Sequence, residues 1–169
     1  MNKKTDEIAH ANLLCGAYFA QVLSSSGLET IYFSPGSRST PLIIGIERYS
    51  NIQLIPVLDE RSAGFIALGQ SKQQNKPVGL ICTSGSALTH WFPAITEASH
   101  AGTPLLLFSA DRPPELQNCG AGQTIYQENL FGSFVRQFHQ LDVPQSSEEF
   151  KRQMTTALQA AFLEATGLN

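Results

Sequence analysis

Long apolar runs are missing from this sequence, and with them any membrane span. One of the longest, Thr103-Pro104-Leu105-Leu106-Leu107-Phe108, falls far short of the ~20 residues a bilayer-crossing helix needs. A basic surplus is missing too. Lys and Arg number 11 against 14 Asp and Glu, for a net charge of −3, which disfavours nucleic acid or anionic lipid as the main partner. Cysteine is sparse: Cys15, Cys82 and Cys119 are odd in number and far apart. They form no C-x-x-C pair and have no histidine at zinc-finger spacing, so they read as reduced, mostly buried thiols. His10, His90, His100 and His139 are scattered and read as structural rather than as ligands, so no metal site is expected. The charged start, Met1 to Asp6, leads into an amphipathic stretch and not an apolar signal core, which predicts a cytoplasmic protein. Repeats, low-complexity tracts and linkers are absent as well.

What remains is a chain of 169 residues with 42% hydrophobic and 15% charged residues, the profile of one soluble globular domain. A chain of this length buries roughly 70% of the surface its unfolded form exposes, enough for a core without disulfides or metal. Ile8, Ala11, Cys15, Tyr18 and Val22 recur at helical intervals over residues 6–24, with Thr5 or Asp6 available as cap. Thr30 to Phe33 is short, β-branched and aromatic, and it stops at Ser34-Pro35-Gly36-Ser37-Arg38-Ser39, a strand running into a glycine loop. Pro41 suits the first turn of the next helix, capped by Ser39 or Thr40. The alternation continues with strands at 53–58, 78–82 and 104–109 and helices at 60–73 and from about 83 to 101, the latter kinked or restarted at Pro93. A last strand is expected over 134–141. A closing helix over 148–165 places Phe150, Met154, Ala157, Leu158, Ala161 and Phe162 on one face before a stop at Gly167. Such alternation predicts an α/β fold, an open parallel sheet with helices on both faces.

Ligands of open parallel sheets gather at the carboxyl ends of the strands, so four loops carry the candidate chemistry. Pro35-Gly36-Ser37-Arg38 precedes a helix whose first N–H groups, with a guanidinium, suit a carboxylate or phosphate. It has neither the G-x-G-x-x-G nor the G-x-x-x-x-G-K-[ST] pattern. Glu60 directly follows a buried strand, where partial burial suits a proton-transfer role; compensation of the helix dipole is the plainer reading, with Arg61 pairing with a neighbour. Thr83-Ser84-Gly85-Ser86 offers hydroxyls and amides but lacks the glycine two residues before a serine that a nucleophile elbow requires. Arg112 sits in a loop stiffened by Pro113 and Pro114, and Gln123 adds an amide nearby. The long Pro-, Gly-, Gln- and Asn-rich segment over 110–126 has the length of a functional loop. Trp91 and Phe92 read as core.

Taken together, Ser-Pro-Gly-Ser-Arg-Ser at 34–39, Asp-Glu-Arg at 59–61, Thr-Ser-Gly at 83–85, Ala-Asp-Arg-Pro-Pro-Glu-Leu at 110–116 and Asn-Cys-Gly-Ala-Gly-Gln at 118–123 form a specific set. In order and spacing it resembles the N-terminal, pyrimidine-binding domain of the thiamine diphosphate-dependent 2-succinyl-5-enolpyruvyl-6-hydroxy-3-cyclohexene-1-carboxylate synthases of menaquinone and phylloquinone biosynthesis. The resemblance covers residues 11–141 or so, and it implies a pyrimidine-binding fold over a single domain, 1–169.

The same resemblance implies the roles of individual residues. Glu60 hydrogen-bonds N1′ of the cofactor's aminopyrimidine and favours the tautomer that deprotonates the thiazolium ring. Pro35, Gly36 and Thr83 line the pyrimidine. Arg38 and Arg112 hold the carboxylates of the substrates, 2-oxoglutarate and isochorismate, while Ser37 and Gln123 orient them. The implied reaction decarboxylates 2-oxoglutarate and adds the succinic semialdehyde unit to isochorismate. His90 departs from the asparagine usual at its position. The family's middle domain and its diphosphate-binding domain, which holds Mg2+ or Mn2+, are not in these residues, so this domain is expected to be inactive by itself. The full-length enzyme is expected to be a homo-oligomer, a dimer or dimer of dimers. Two other readings stand beside this one: a non-catalytic α/β carboxylate-binding module that uses Arg38 and Arg112 but not Glu60, and an oligomerisation module.

Overall fold

Short β-branched and aromatic runs pair side by side because neither face of such a strand tolerates water. In the computed structural model, which describes residues 3–141 and 147–166, they form strands β1 (Thr30–Phe33), β2 (Gln53–Pro56), β3 (Val78–Cys82) and β4 (Leu105–Ser109). All pairs are parallel and the order is β2-β1-β3-β4. Between them run helices α1 (Lys3–Ser25), α2 (Thr40–Tyr49), α3 (Glu60–Gln74), α4 (Ser86–Thr89), α5 (Phe92–Ala101) and α6 (Ser147–Thr166).

The two-residue period of the strands sorts the core into two layers. Ile31, Ile81 and Leu106 face Phe19 and Leu23 of α1, Ile46 of α2, and Met154 and Leu158 of α6. Tyr32, Val78, Leu80 and Cys82 face the other way, onto Ala63 and Ala67 of α3 and onto Leu88, Trp91 and Ile95 around α4 and α5. Each fully buried Leu, Ile or Phe contributes about 1.5–3 kcal/mol. The sheet is thus covered on both faces, as its strand composition requires. No helix among the described residues is long and apolar enough to cross a membrane.

The buried stripe of α1 is turned slightly from the expected one. Gly16, Phe19, Ala20, Val22 and Leu23 are buried, while Cys15 and Tyr18 are half-buried. The reason is a glycine crossing with α2. A Cβ on Gly45 would run into the Gly16 carbonyl, and one on Gly16 into the Pro41 carbonyl. Backbone therefore meets backbone, and α2 is held at the height that sets the loop before it.

Several expectations shift for identifiable reasons. Strand β2 ends at Pro56, although Val57 still donates to the Phe33 carbonyl (2.9 Å); Gln53 and Val57 turn their N–H groups to β1, so the missing N–H of Pro56 falls on the open edge, where proline is tolerated. The helix after β3 breaks, and Pro93 lies in the first turn of the restarted α5. Helix α1 already runs through Thr5 and Asp6, so neither caps it. Ser39 stands at the N-cap of α2 but makes no side-chain cap bond. The expected strand over 134–141 does not form. Phe134 packs on Phe92 (5.4 Å between ring centroids) and Arg136 donates to the Ser99 carbonyl (3.1 Å), so this segment is tied to α5 and not to a sheet edge. Cys119 is exposed, against the expectation of mostly buried thiols. Trp91 is fully buried and Phe92 half-buried, as core residues should be. The stop at Gly167 and the side chains of Ile8, Phe150 and Phe162 lie outside the described residues.

Glycine-mediated packing makes a sharp prediction. Gly45→Ala should cost about 1–3 kcal/mol by forcing α1 and α2 apart. Gly69→Ala in α3, where a Cβ meets nothing within 4 Å, should instead stabilise by about 0.5–1 kcal/mol. Urea melts of the two variants give opposite signs if the crossing is as described.

Candidate active site at the carboxyl edge of the sheet

From β1 the chain moves outward to β2, then crosses back to β3 on the other side of β1. The loops after β1 and β3 therefore leave the sheet in opposite directions, the arrangement that opens a ligand crevice. They touch at one point: a Cβ on Gly36 would run into the Cβ of Thr83. The Ser39 and Thr40 hydroxyls both donate to the Gly36 carbonyl, at 3.0 and 3.2 Å, which curls the loop back instead of capping α2. Pro35 and Ser37 are exposed and Arg38 is half-buried. The Arg38 Nε is buried without a hydrogen-bond partner, as is the hydroxyl of Ser34 beneath it in sequence.

Glu60 opens α3, just beyond β2. Its neighbours dispose of each other's charge. Asp59 caps the helix by accepting from the Ser62 N–H (3.0 Å) and pairs with Arg61 (2.6 Å). The Arg61 hydrogen bond, followed by that from Ser62, holds the Asp59 carboxyl well below the usual range. Arg61 is thus engaged by Asp59. Glu60 is left half-buried, and no side-chain hydrogen bond reaches it among the described residues. Its negative charge is felt by Cys82 at the end of β3. Burial first, and the Glu60 charge second, push that thiol well above its ordinary range.

The long loop after β4 folds back on the loop after β3. Arg112 Nη2 donates to the Gly122 carbonyl (2.7 Å), so the loop's outgoing and returning limbs meet. Gln123 follows directly and donates its amide to the Ser84 carbonyl (3.0 Å). Gln123 adopts a φ of 58°, a left-handed conformation that costs an L residue about 1–2 kcal/mol. It is held there by close contact with Gly85: a Cβ on Gly85, whose φ is 83°, would run into the Gln123 carbonyl. The Nε of Arg112 is buried without a partner. Two guanidinium groups at this edge therefore each carry a desolvated, unsatisfied N–H, which an incoming carboxylate would relieve.

The structure so brings Gly36 to Thr83, and Arg112 and Gln123 to the loop after β3. No hydrogen bond ties Glu60, Arg38 and Arg112 directly to one another. A cleft of about 370 Å³ lies under the long loop, lined by residues that include Asp111, Asn118, Tyr126 and Gln127; neither Glu60 nor Arg38 lines it. His90 is exposed at the break between α4 and α5. Among the described residues no group of His, Cys, Asp and Glu is placed to hold a metal ion. Sequence reasoning missed Gln127, which is 6% exposed and spans the two loops. The signal for it was a second glutamine four residues after Gln123.

Residues 15–137 match the family described as thiamine pyrophosphate enzyme, N-terminal TPP binding domain. The chain is 44% identical over 158 residues to a protein of Natronomonas pharaonis named 2-succinyl-5-enolpyruvyl-6-hydroxy-3-cyclohexene-1-carboxylate synthase, covering 94% of this chain and 27% of that protein. Proteins of the same name from Crocosphaera subtropica and Thermosynechococcus vestitus are 47% and 48% identical over 82% and 79% of this chain, and 24% of each relative is covered. The chain spans about a quarter of the length of the curated relatives it matches.

Thiol chemistry checks this geometry. At about pH 8 a thiol-specific disulfide reagent should react fast with exposed Cys119 and slowly with the two protonated, sheltered thiols. Burial pushes Cys15 from 9.0 up to about 11. The unfolded chain then loses that proton first, and stability present below about pH 9 is lost as pH rises toward 11. Glu60→Gln should lower the Cys82 pKa, read as faster labelling of Cys82 at alkaline pH. An unchanged labelling rate would place the two groups apart.

Proposed function

The chain belongs to the thiamine pyrophosphate enzyme family, as its N-terminal TPP-binding domain, and from that premise we propose that it forms the aminopyrimidine side of the active site of a 2-succinyl-5-enolpyruvyl-6-hydroxy-3-cyclohexene-1-carboxylate synthase. The observation that carries this reading is Glu60: a half-buried carboxylate without a side-chain hydrogen bond among the described residues, while Asp59 and Arg61 on either side pair with each other.

The residues present fit thiamine diphosphate. A carboxyl group that must share a proton with a ring nitrogen needs partial shelter from water and freedom from a competing cation. Glu60 has both. The space beside Gly36 is filled by the Thr83 side chain, so a larger residue at 36 has no room and the two loops form one continuous wall. When bound, thiamine diphosphate supplies the nucleophilic carbon that no amino-acid side chain provides.

In this reading Glu60 holds a proton at N1′ of the aminopyrimidine, while Pro35, Gly36 and Thr83 line that ring. Arg38 and Arg112 bind the carboxylates of 2-oxoglutarate and isochorismate, since a guanidinium fork matches a carboxylate in charge and geometry. Ser37 contributes a hydroxyl. Gln123 uses one amide N–H on Ser84, which leaves its second N–H and its carbonyl to orient substrate. The reaction is decarboxylation of 2-oxoglutarate and addition of the remaining four-carbon unit to isochorismate, a step of menaquinone or phylloquinone biosynthesis. The diphosphate and its Mg2+ or Mn2+ would be held by segments outside these residues. Beside Glu60, Leu58 is 87% exposed, and Phe65 and Ile66 of α3 are 50% and 45% exposed. An apolar face of this kind supports a homo-oligomer, a dimer or dimer of dimers, that covers it. The free thiols suit a cytoplasmic setting.

Glu60→Gln in the full-length protein should lower turnover by about 10²–10⁴-fold with an unchanged melting temperature. Wild-type turnover in that variant would overturn the reading in favour of a carboxylate-binding module. Arg112→Ala should cost about 1.5–3 kcal/mol in kcat/KM, read as a steady-state rate with 2-oxoglutarate and isochorismate.

A further inference from the structure

We propose that Gln127 is a positioning residue, which sets the register between the loop after β3 and the loop after β4, and so between the wall at Thr83 and the guanidinium of Arg112; the inference rests on the function proposed above. The Gln127 side chain spans both loops. Its Oε1 accepts from the Gly85 N–H at 2.6 Å, and its Nε2 donates to the Ala110 carbonyl at 3.0 Å.

Both partners sit where the sheet stops giving instructions. Ala110 makes the last link along β4, its N–H donating to the Cys82 carbonyl (3.2 Å), and Arg112 comes two residues later. Gly85, at its positive φ, is where the chain turns from β3 toward α4. Beyond these points the strands no longer dictate how far apart the loops lie. One buried amide, with a donor at one end and an acceptor at the other, spans the gap. A carboxylate could serve only Gly85, an ammonium only Ala110, and a hydroxyl is too short to serve both. Arg112 is in turn tied to Gly122 and Gln123 to Ser84, so Gln127 adds a buried side-chain link between the two strand ends beside the backbone bond from Ala110 to Cys82. Ligand groups misplaced by about 1 Å can lose about 10²-fold in rate, which is the scale at which such a spacer acts.

The test uses the full-length protein with Gln127→Met, which keeps the volume and removes the bonds to Gly85 and Ala110 together with a longer one from Nε2 to the Ser109 hydroxyl (3.4 Å), and Gln127→Glu, which keeps the acceptor for Gly85 and loses the donor for Ala110 and Ser109. Activity is measured per folded molecule, well below the melting temperature of each variant. In Gln127→Met, kcat/KM for 2-oxoglutarate should fall by about 10- to 100-fold while thiamine diphosphate affinity, titrated by protein fluorescence, stays at the wild-type value. Gln127→Glu should fall at least as far, because its buried carboxylate then faces the Ala110 carbonyl with no donor between them. Unchanged kcat/KM in Gln127→Met overturns the proposal, and so does an equal loss in cofactor affinity, the mark of a generally loosened edge. If Gln127→Met does not fold, Gln127→Glu decides by the same criteria. Glu60→Gln is assayed alongside: wild-type turnover there defeats the proposed function, whereas a dead Glu60→Gln beside unaffected Gln127 variants defeats the positioning role alone.

Discussion

The parallel pairing of β3 is the constraint on which the rest depends. Every residue from Val78 to Cys82 is buried, and the strand is bonded to β1 on one side and β4 on the other. Its side chains alternate between the two core layers, so a one-residue slip would exchange both faces at once. That register places the ends of β1, β3 and β4 together. Thr83 meets Gly36 there because the strands beneath them leave no choice.

Charge at this edge is arranged by removal more than by attraction. The Asp59–Arg61 pair is exposed, and such pairs contribute little to stability. Its effect is to engage the cation next to Glu60 and to start α3 with a capped first turn. Arg38 and Arg112 each bury an Nε without a partner, a cost the folded chain carries until an acceptor arrives. This edge thus holds a half-buried carboxylate and two guanidinium groups that each bury an unpaired Nε–H.

Neutral amides tie the long loop after β4 to the loop after β3, while Arg112 closes the long loop on itself. Gln123 and Gln127 each engage backbone of the loop after β3, and Gly85 permits the approach. Amides carry both a donor and an acceptor, so they can set a distance between two backbone segments without adding charge beside the arginines. The exposed apolar side chains of Leu58, Phe65 and Ile66 flank Glu60 in sequence.

Much of this was legible from the residues alone. Strand and helix alternation, the two-faced apolar strands and the polar strand ends determine an α/β sheet with its chemistry at one edge, since hydrophobic periodicity is local information. Thr30 to Phe33 and Val78 to Cys82 read as strands with the bounds they have, and the motifs at 34–39, 83–85 and 110–116 lie on strand ends that adjoin, while no hydrogen bond among the described residues ties 59–61 to them. The segment at 134–141, with its aromatic and β-branched start, was expected as a strand but is tied to Phe92 and Ser99, contacts that no local pattern encodes. Gly16 against Gly45, Gly36 against Thr83 and Gln127 between Gly85 and Ala110 join residues distant along the chain. A glycine has no side chain to announce its partner, and a glutamine reads as polar surface until a fold buries it. Periodicity and composition thus determined which elements form, while the tertiary structure decided which backbones touch, because close approach depends on the absence of atoms on both sides of a contact.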